Sequence, residues 1–189
     1  LLVFFRDQRN RIHRLFFWIA YFCGLRFLID AINRVLLHEI IVVSDLLFRL
    51  SDVCWLVAGL LIAHFGTVFP RRVESGDSAA GNTSMRPWYR DRIYLLFSIA
   101  MAILALLCFT PLHVNQREFN PVSGTYYGTL GPGYFANQVF FLFCLGWSTY
   151  RQYMFYKLYQ IDPRREHARY FILSQTILAA TILILLMLQ

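Results

Sequence analysis

The stretch that decides the architecture is LFRLSDVCWLVAGLLIAHFGTVFPRR, residues 47–72. From Val53 to Phe69 it holds no Lys, Arg, Asp or Glu, and it stops at Pro70, followed by Arg71 and Arg72. These seventeen residues fall short of the roughly 20 that a helix needs to cross a hydrocarbon layer about 30 Å thick. The helix must therefore open earlier, near Val43, and take in Asp45, Arg49 and Asp52, giving a span of about 44–69. The basic pair behind the proline is the usual exit signal of a membrane helix.

Outward from this stretch, four more apolar blocks appear at about 15–37, 93–111, 135–156 and 170–188. The chain of 189 residues is 58% hydrophobic and only 15% charged, whereas soluble domains carry about a quarter charged residues. The expected fold is all-α: one integral membrane helical bundle covering 1–189, with about five full transmembrane helices. Between the blocks lie two longer connectors. Residues 73–86 contain ESGDSAAGNTSM, small and polar, and read as a flexible loop. Residues 112–134 are rich in Gly, Tyr and Thr with turn residues between them, and read as a short β-hairpin-like outer loop on the membrane surface. Asp162-Pro163 reads as the start of the last helix. Leu1 to Phe5 read as the tail of an apolar segment that continues upstream.

The net charge of +7 raises the question of nucleic acid, and the positions of the charges answer it. Thirteen Lys and Arg fall in segments 6–14, 71–92 and 157–169, against Arg117 and at most Arg49 on the other side. This is the positive-inside distribution, not a basic surface with base-stacking aromatics, so no nucleic-acid partner is expected. The three basic segments are then cytoplasmic, and the loop at 112–134 is outside. The lipid bilayer is the first partner implied.

Arg26, Asp30 and Arg34 recur every four residues on one helix face, where opposite charges can pair. Asp45, Arg49 and Asp52 on the following helix can supply further partners. Ionisable groups at membrane depth face the bundle interior and mark sites of interest. Arg34 lies close enough to the interface to snorkel, whereas Asp30 is too short to do so, and an interhelical ion-pair network is the expected arrangement. His64, five residues before Phe69, reads as a hydrogen-bonded interior residue, with a metal ligand as the alternative. His13, His113 and His167 belong to loops or helix ends and read as solvated. Cys23, Cys54, Cys108 and Cys144 fall one per block with no CxxC pair, so neither a disulfide framework nor a metal site is indicated. Trp18, Trp88, Trp147 and several Tyr residues read as interfacial belts. Phe135, Phe140, Phe141 and Phe143 form an alternative ligand pocket with the outer loop, to which Tyr126, Tyr127 and Tyr134 belong. No nucleophile–base set, phosphate loop or metal quartet is present in the sequence, so catalysis and a bound cofactor are not expected.

Three stretches carry a resemblance: residues 47–72 with their Phe-Pro-Arg-Arg stop, GTLGPGYFA at 128–136 leading into an aromatic helix, and RREHARYFILSQTILAA at 164–180. In order and punctuation the chain resembles the N-terminal seven-transmembrane region of bacterial histidine kinases and related signalling proteins. The resemblance covers about helices one to six of seven, and no kinase, PAS, cyclase or phosphatase output domain is found in the sequence. It implies a non-catalytic sensory input module in a bacterial inner membrane, with an output domain as partner. The alternative is a structural accessory subunit of a larger respiratory or photosynthetic membrane complex.

Overall fold

A computed structural model describes residues 11–35, 41–68, 92–120, 125–158 and 164–187. They form five helices, α1 (Arg11–Val35), α2 (Ile41–Val68), α3 (Arg92–Leu107), α4 (Pro132–Leu158) and α5 (Arg164–Met187), with strands β1 (Val114–Asn120) and β2 (Thr125–Leu130) between α3 and α4. Leu1–Phe5, the Phe69-Pro70 stop, the 73–86 loop and Asp162-Pro163 lie outside the described residues.

Three of these helices are long and apolar enough to cross a membrane, over His13–Asn33, Val42–Val68 and Glu166–Ile184. The other two differ for separate reasons. α3 is apolar but has only 16 residues, roughly 24 Å of rise, and stops short of the expected 111. Its end is tightened by bonds from Phe109 N to Leu106 O and from Thr110 N to Leu107 O, and the Thr110 hydroxyl also donates to Leu107 O at 2.7 Å. Pro111 then has no N–H with which to continue the helix. α4 is long enough, at 27 residues, but carries Asn137, Gln138, Ser148 and Gln152, which lower its apolar character. All four are buried.

Named contacts define the arrangement. Leu15 packs with Phe65 and Arg26 meets Asp52, so α1 runs antiparallel to α2. His64 faces Tyr94 and Arg49 reaches Cys108, so α3 is antiparallel to α2 on another side. Gly59 sits against Phe141 and Gly66 against Ser148, which makes α2 and α4 parallel. Gln175 bonds to Ser148 and Thr149, closing α5 onto α4. α2 is thus the shared partner of α1, α3 and α4. Its approach to α4 depends on Gly66, where a Cβ would lie 2.6 Å from the Ser148 Cα. At the centre the Trp55 and Phe141 rings stack at 3.8 Å and 9°.

The surface carries many large apolar side chains, and the interior mixes apolar residues with polar ones. The buried residues include Ser44, Ser51, Asp52, His113, Asn137, Gln138, Ser148 and Gln152, while Phe27, Leu96, Ile103, Phe143 and Ile177 are exposed. Apolar residues cover the outside of a protein when the surrounding medium is itself apolar, and polar groups then find their partners inward.

The strands pair antiparallel, with Arg117 opposite Gly128, Glu118 opposite Tyr127 and Phe119 opposite Tyr126, and with an irregularity between Val114 and Arg117. Gly131 N donates to His113 O, and Gly133 N donates to Leu112 O, each at 2.9 Å. A side chain at Gly131 would collide with the Leu112 carbonyl. The Gly-Pro-Gly sequence therefore lets the start of α4 lie directly against the segment leaving α3.

Candidate functional site

The polar interior converges on Asp52, on the inner face of α2. Asp52 sits roughly 17 Å along the helix from Ile41 and 24 Å before Val68, so it is deep within the length of α2. Its side chain is 1% exposed. One carboxylate oxygen accepts a hydrogen bond from Arg26 of α1 at 2.9 Å. The other accepts from His113 Nε2 at 2.7 Å, across the segment that joins α3 to β1. A carboxylate buried this deeply is tenable only when paired and hydrogen-bonded, and Asp52 satisfies both conditions with partners from two different elements.

Arg26 is held from three directions. Besides Asp52 it lies 3.7 Å from Asp30, one turn along α1, and its guanidinium sits 4.7 Å from the centre of the Trp55 ring. Asp30 accepts a 2.6 Å hydrogen bond from the Ser51 hydroxyl and is 30% exposed. The principal partner of Arg26 is therefore Asp52 on the neighbouring helix, with Asp30 a longer second contact. The Arg34 side chain lies outside the described part of the chain.

Arg49 does a different task one turn away. Its Nε meets Asp45 at 2.7 Å, while its terminal nitrogens donate to the carbonyls of Cys108 at 2.6 Å, Thr110 at 2.9 Å and Val114 at 3.5 Å. Those carbonyls belong to non-helical backbone or its edge, which has no intrahelical donor for them. The planar fork of Arg supplies several donors at once, which a Lys ammonium could not arrange in one plane. Asn137 of α4 donates to Cys108 Sγ at 3.1 Å.

The structure corrects one sequence expectation outright. His113 is not solvated: its side chain is 0% exposed, and its ring lies near Phe48 and Tyr134 at about 6 Å. The short α3 lets the chain turn back inward before the strands begin, which carries the imidazole into the interior beside Asp52. His64 lies apart from this cluster, with its ring 4.8 Å from Tyr94, and Thr67 Oγ1 donates to its carbonyl at 2.7 Å. His13 is half-buried and His167 exposed. Tyr134 is buried at the start of α4, stacked near Phe48, whereas the side chains of Tyr126 and Tyr127 lie outside the described part. Among the aromatic pocket candidates, Phe140 and Phe141 are buried core residues, and Phe135 and Phe143 point outward.

Nothing in known proteins adds to this geometry. No family model, curated protein or solved structure matches the chain.

A second polar group lies nearer the other end. Ser148 accepts from Gln152 at 3.3 Å and from Gln175 at 3.0 Å, and Thr149 donates to Gln175 at 2.9 Å. Asn137, Ser148 and Gln152 recur at multiples of a helical turn on an otherwise apolar helix, a spacing that marks an inward polar stripe. Among the described residues no group of three potential metal ligands comes together. The arrangement offers chains of charged and neutral hydrogen bonds between helices.

Proposed function

We propose that the chain is a non-catalytic membrane module that receives a signal at its outer face and passes it to its helices, all five of which cross a bacterial cytoplasmic membrane. The observation that carries this reading is the sharing of Asp52 between Arg26 and His113. His113 belongs to the segment that carries β1, and Arg26 belongs to α1. A displacement of the outer strands therefore changes a buried ion pair at the heart of α1 and α2, which is the kind of coupled shift that interhelical switches use.

In this topology segments 6–14, 71–92 and 157–169 face the cytoplasm and the paired strands lie outside. The shortness of α3 fits, because irregular backbone at membrane depth is tolerated where protein covers it, and Arg49 takes the carbonyls concerned. The resemblance to sensory input regions supports the same reading, with an output domain as the partner. The accessory-subunit reading has its own observation: α3 presents Ile93, Leu96, Ile99, Ile103 and Leu106 outward, a face that a partner subunit could cover as well as lipid.

Mild-detergent extraction from the native membrane separates the two. An input module comes out as a monomer or homodimer, and protease cleavage between Phe119 and Tyr134 changes when periplasmic small molecules are supplied. Recovery at fixed stoichiometry within a larger complex, with cleavage that no extract alters, contradicts the input reading in favour of the accessory one.

A further inference from the structure

The contacts that join the helices also set a common level at one end of the bundle. Leu15 packs on Phe65, Phe65 on Phe171 at 5.0 Å, Gly66 on Ser148 and His64 on Tyr94 at 4.8 Å. Arg14, Arg92, Arg151 and Arg169 each lie within a turn of those residues, and all four are exposed, as is Lys157 beyond them. In the described structure Arg14, Arg92, Arg151 and Lys157 have no acidic partner. Arg169 has only a 3.9 Å contact to Glu166, with both side chains more than half exposed. The deeper cations contrast with these: Arg26 and Arg49 are both held by aspartates.

α4 shows what medium this level faces. Its exposed residues follow one another at helical spacing, Phe135, Val139 and Phe143, then Tyr150 and Arg151, then Lys157, with the half-buried Trp147 between the apolar and cationic parts. From Val139 to Arg151 is a rise of roughly 18 Å, over which one continuous face passes from purely apolar, through amphipathic aromatic, to cationic. The Arg151 guanidinium lies 5.9 Å from the Trp147 ring centre. α1 repeats the order at the same end, with Tyr21 and Trp18 exposed before Arg14. A face graded in this way matches acyl chain, interface and headgroup in turn. An acidic protein docking from water would meet the cations but has no use for the apolar run that leads into them.

We propose that the exposed cations Arg14, Arg92, Arg151, Lys157 and Arg169 form a binding surface for the headgroups of anionic phospholipids in the leaflet they face. The inference rests on the membrane placement proposed above. The bare guanidinium groups take phosphate oxygens through charge-assisted hydrogen bonds, and Trp147 and Tyr150 fix the depth at which they do so.

The test uses the full chain in mixed micelles of phosphatidylglycerol and phosphatidylcholine, with retained lipids counted by native mass spectrometry. Phosphatidylglycerol should be retained in preference, with roughly a fivefold loss of that preference per cation removed. Arg151→Gln should show one such step, Arg151→Lys should show little change, and the triple variant Arg151→Gln/Lys157→Gln/Arg169→Gln should lose roughly a hundredfold, with Arg14 and Arg92 keeping the remainder. Equal retention of both lipids by the unmodified chain, or a preference undiminished in the triple variant, overturns the proposal. So does loss, in the triple variant, of a co-purifying acidic protein while lipid preference is unchanged. Alkaline carbonate washing of membranes keeps the two levels apart. A chain that washes off defeats the membrane placement, whereas a chain that stays embedded yet prefers neither lipid defeats only this inference.

Discussion

Asp52 and His113 are 61 residues apart in the sequence and 2.7 Å apart in the structure, oxygen to Nε2. Neither is exposed to solvent beyond 1%. With Arg26 on the opposite oxygen of the same carboxylate, the pair joins α1, α2 and the segment that leads into β1.

Removing the shared carboxylate should be costly, because it leaves the half-buried Arg26 guanidinium without its principal counter-ion and His113 without its partner. Asp52→Leu is expected to lower stability by about 3–5 kcal/mol, read as thermal unfolding in detergent. Asp30→Asn should cost much less, since Asp30 is partly exposed, lies 3.7 Å from Arg26 and would keep an acceptor for Ser51. Glu166→Gln, on an exposed turn, should change nothing measurable. An equal effect of all three would show that Asp52 is not buried and paired.

The Arg49 clasp gives a second expectation. Arg49→Lys retains the charge beside Asp45 but cannot serve all three carbonyls. Each carbonyl left without a donor in the interior costs about 1–3 kcal/mol. Amide hydrogen exchange at 108–114 should rise in this variant while exchange in the middle of α4 stays slow. Unchanged protection at 108–114 would mean that the carbonyls do not depend on Arg49.

Close helix approach gives a third. Gly66→Ala places a methyl group against the Ser148 backbone and should destabilise by about 1–3 kcal/mol through overpacking. Gly24→Ala meets nothing within 4 Å and should be neutral or slightly stabilising, as replacing Gly in a helix interior usually is. Similar melting temperatures for the two variants would count against the α2–α4 contact.

Orientation can be checked chemically. In a chain with its four native cysteines replaced, a single Cys at Ser78 should be protected from impermeant thiol reagents in intact cells, and one at Ser123 should react. The reverse pattern would invert the topology and place the strands in the cytoplasm.

These expectations also show what could be read from residue order alone. The helical blocks and the strand-like segment between α3 and α4 could be read because each is a local property of a few consecutive residues. The pairing of Arg26 with Asp52 was within reach, because a buried acid on a neighbouring antiparallel helix is a natural partner. His113 was not, because its burial depends on α3 stopping at Leu107 and on the Gly131 and Gly133 amides drawing the following segment inward. Neither effect has a local periodicity. The inward stripe of Asn137, Ser148 and Gln152 was legible in principle. It was masked by the aromatic residues around it, which dominate the apolar character of that helix.

The account stands most directly on Asp52 coupling the segment that leads into β1 to α1, and a double-mutant cycle on Arg26→Gln and His113→Gln measures it. Both residues bind opposite oxygens of one carboxylate, so their effects on stability should depend on each other. The predicted result is a coupling energy of about 0.5–3 kcal/mol, which disappears when the cycle is repeated in an Asp52→Asn background. Additive effects of the two substitutions in the unmodified background would contradict the account, because they would show that the segment leading into β1 and α1 do not meet at Asp52.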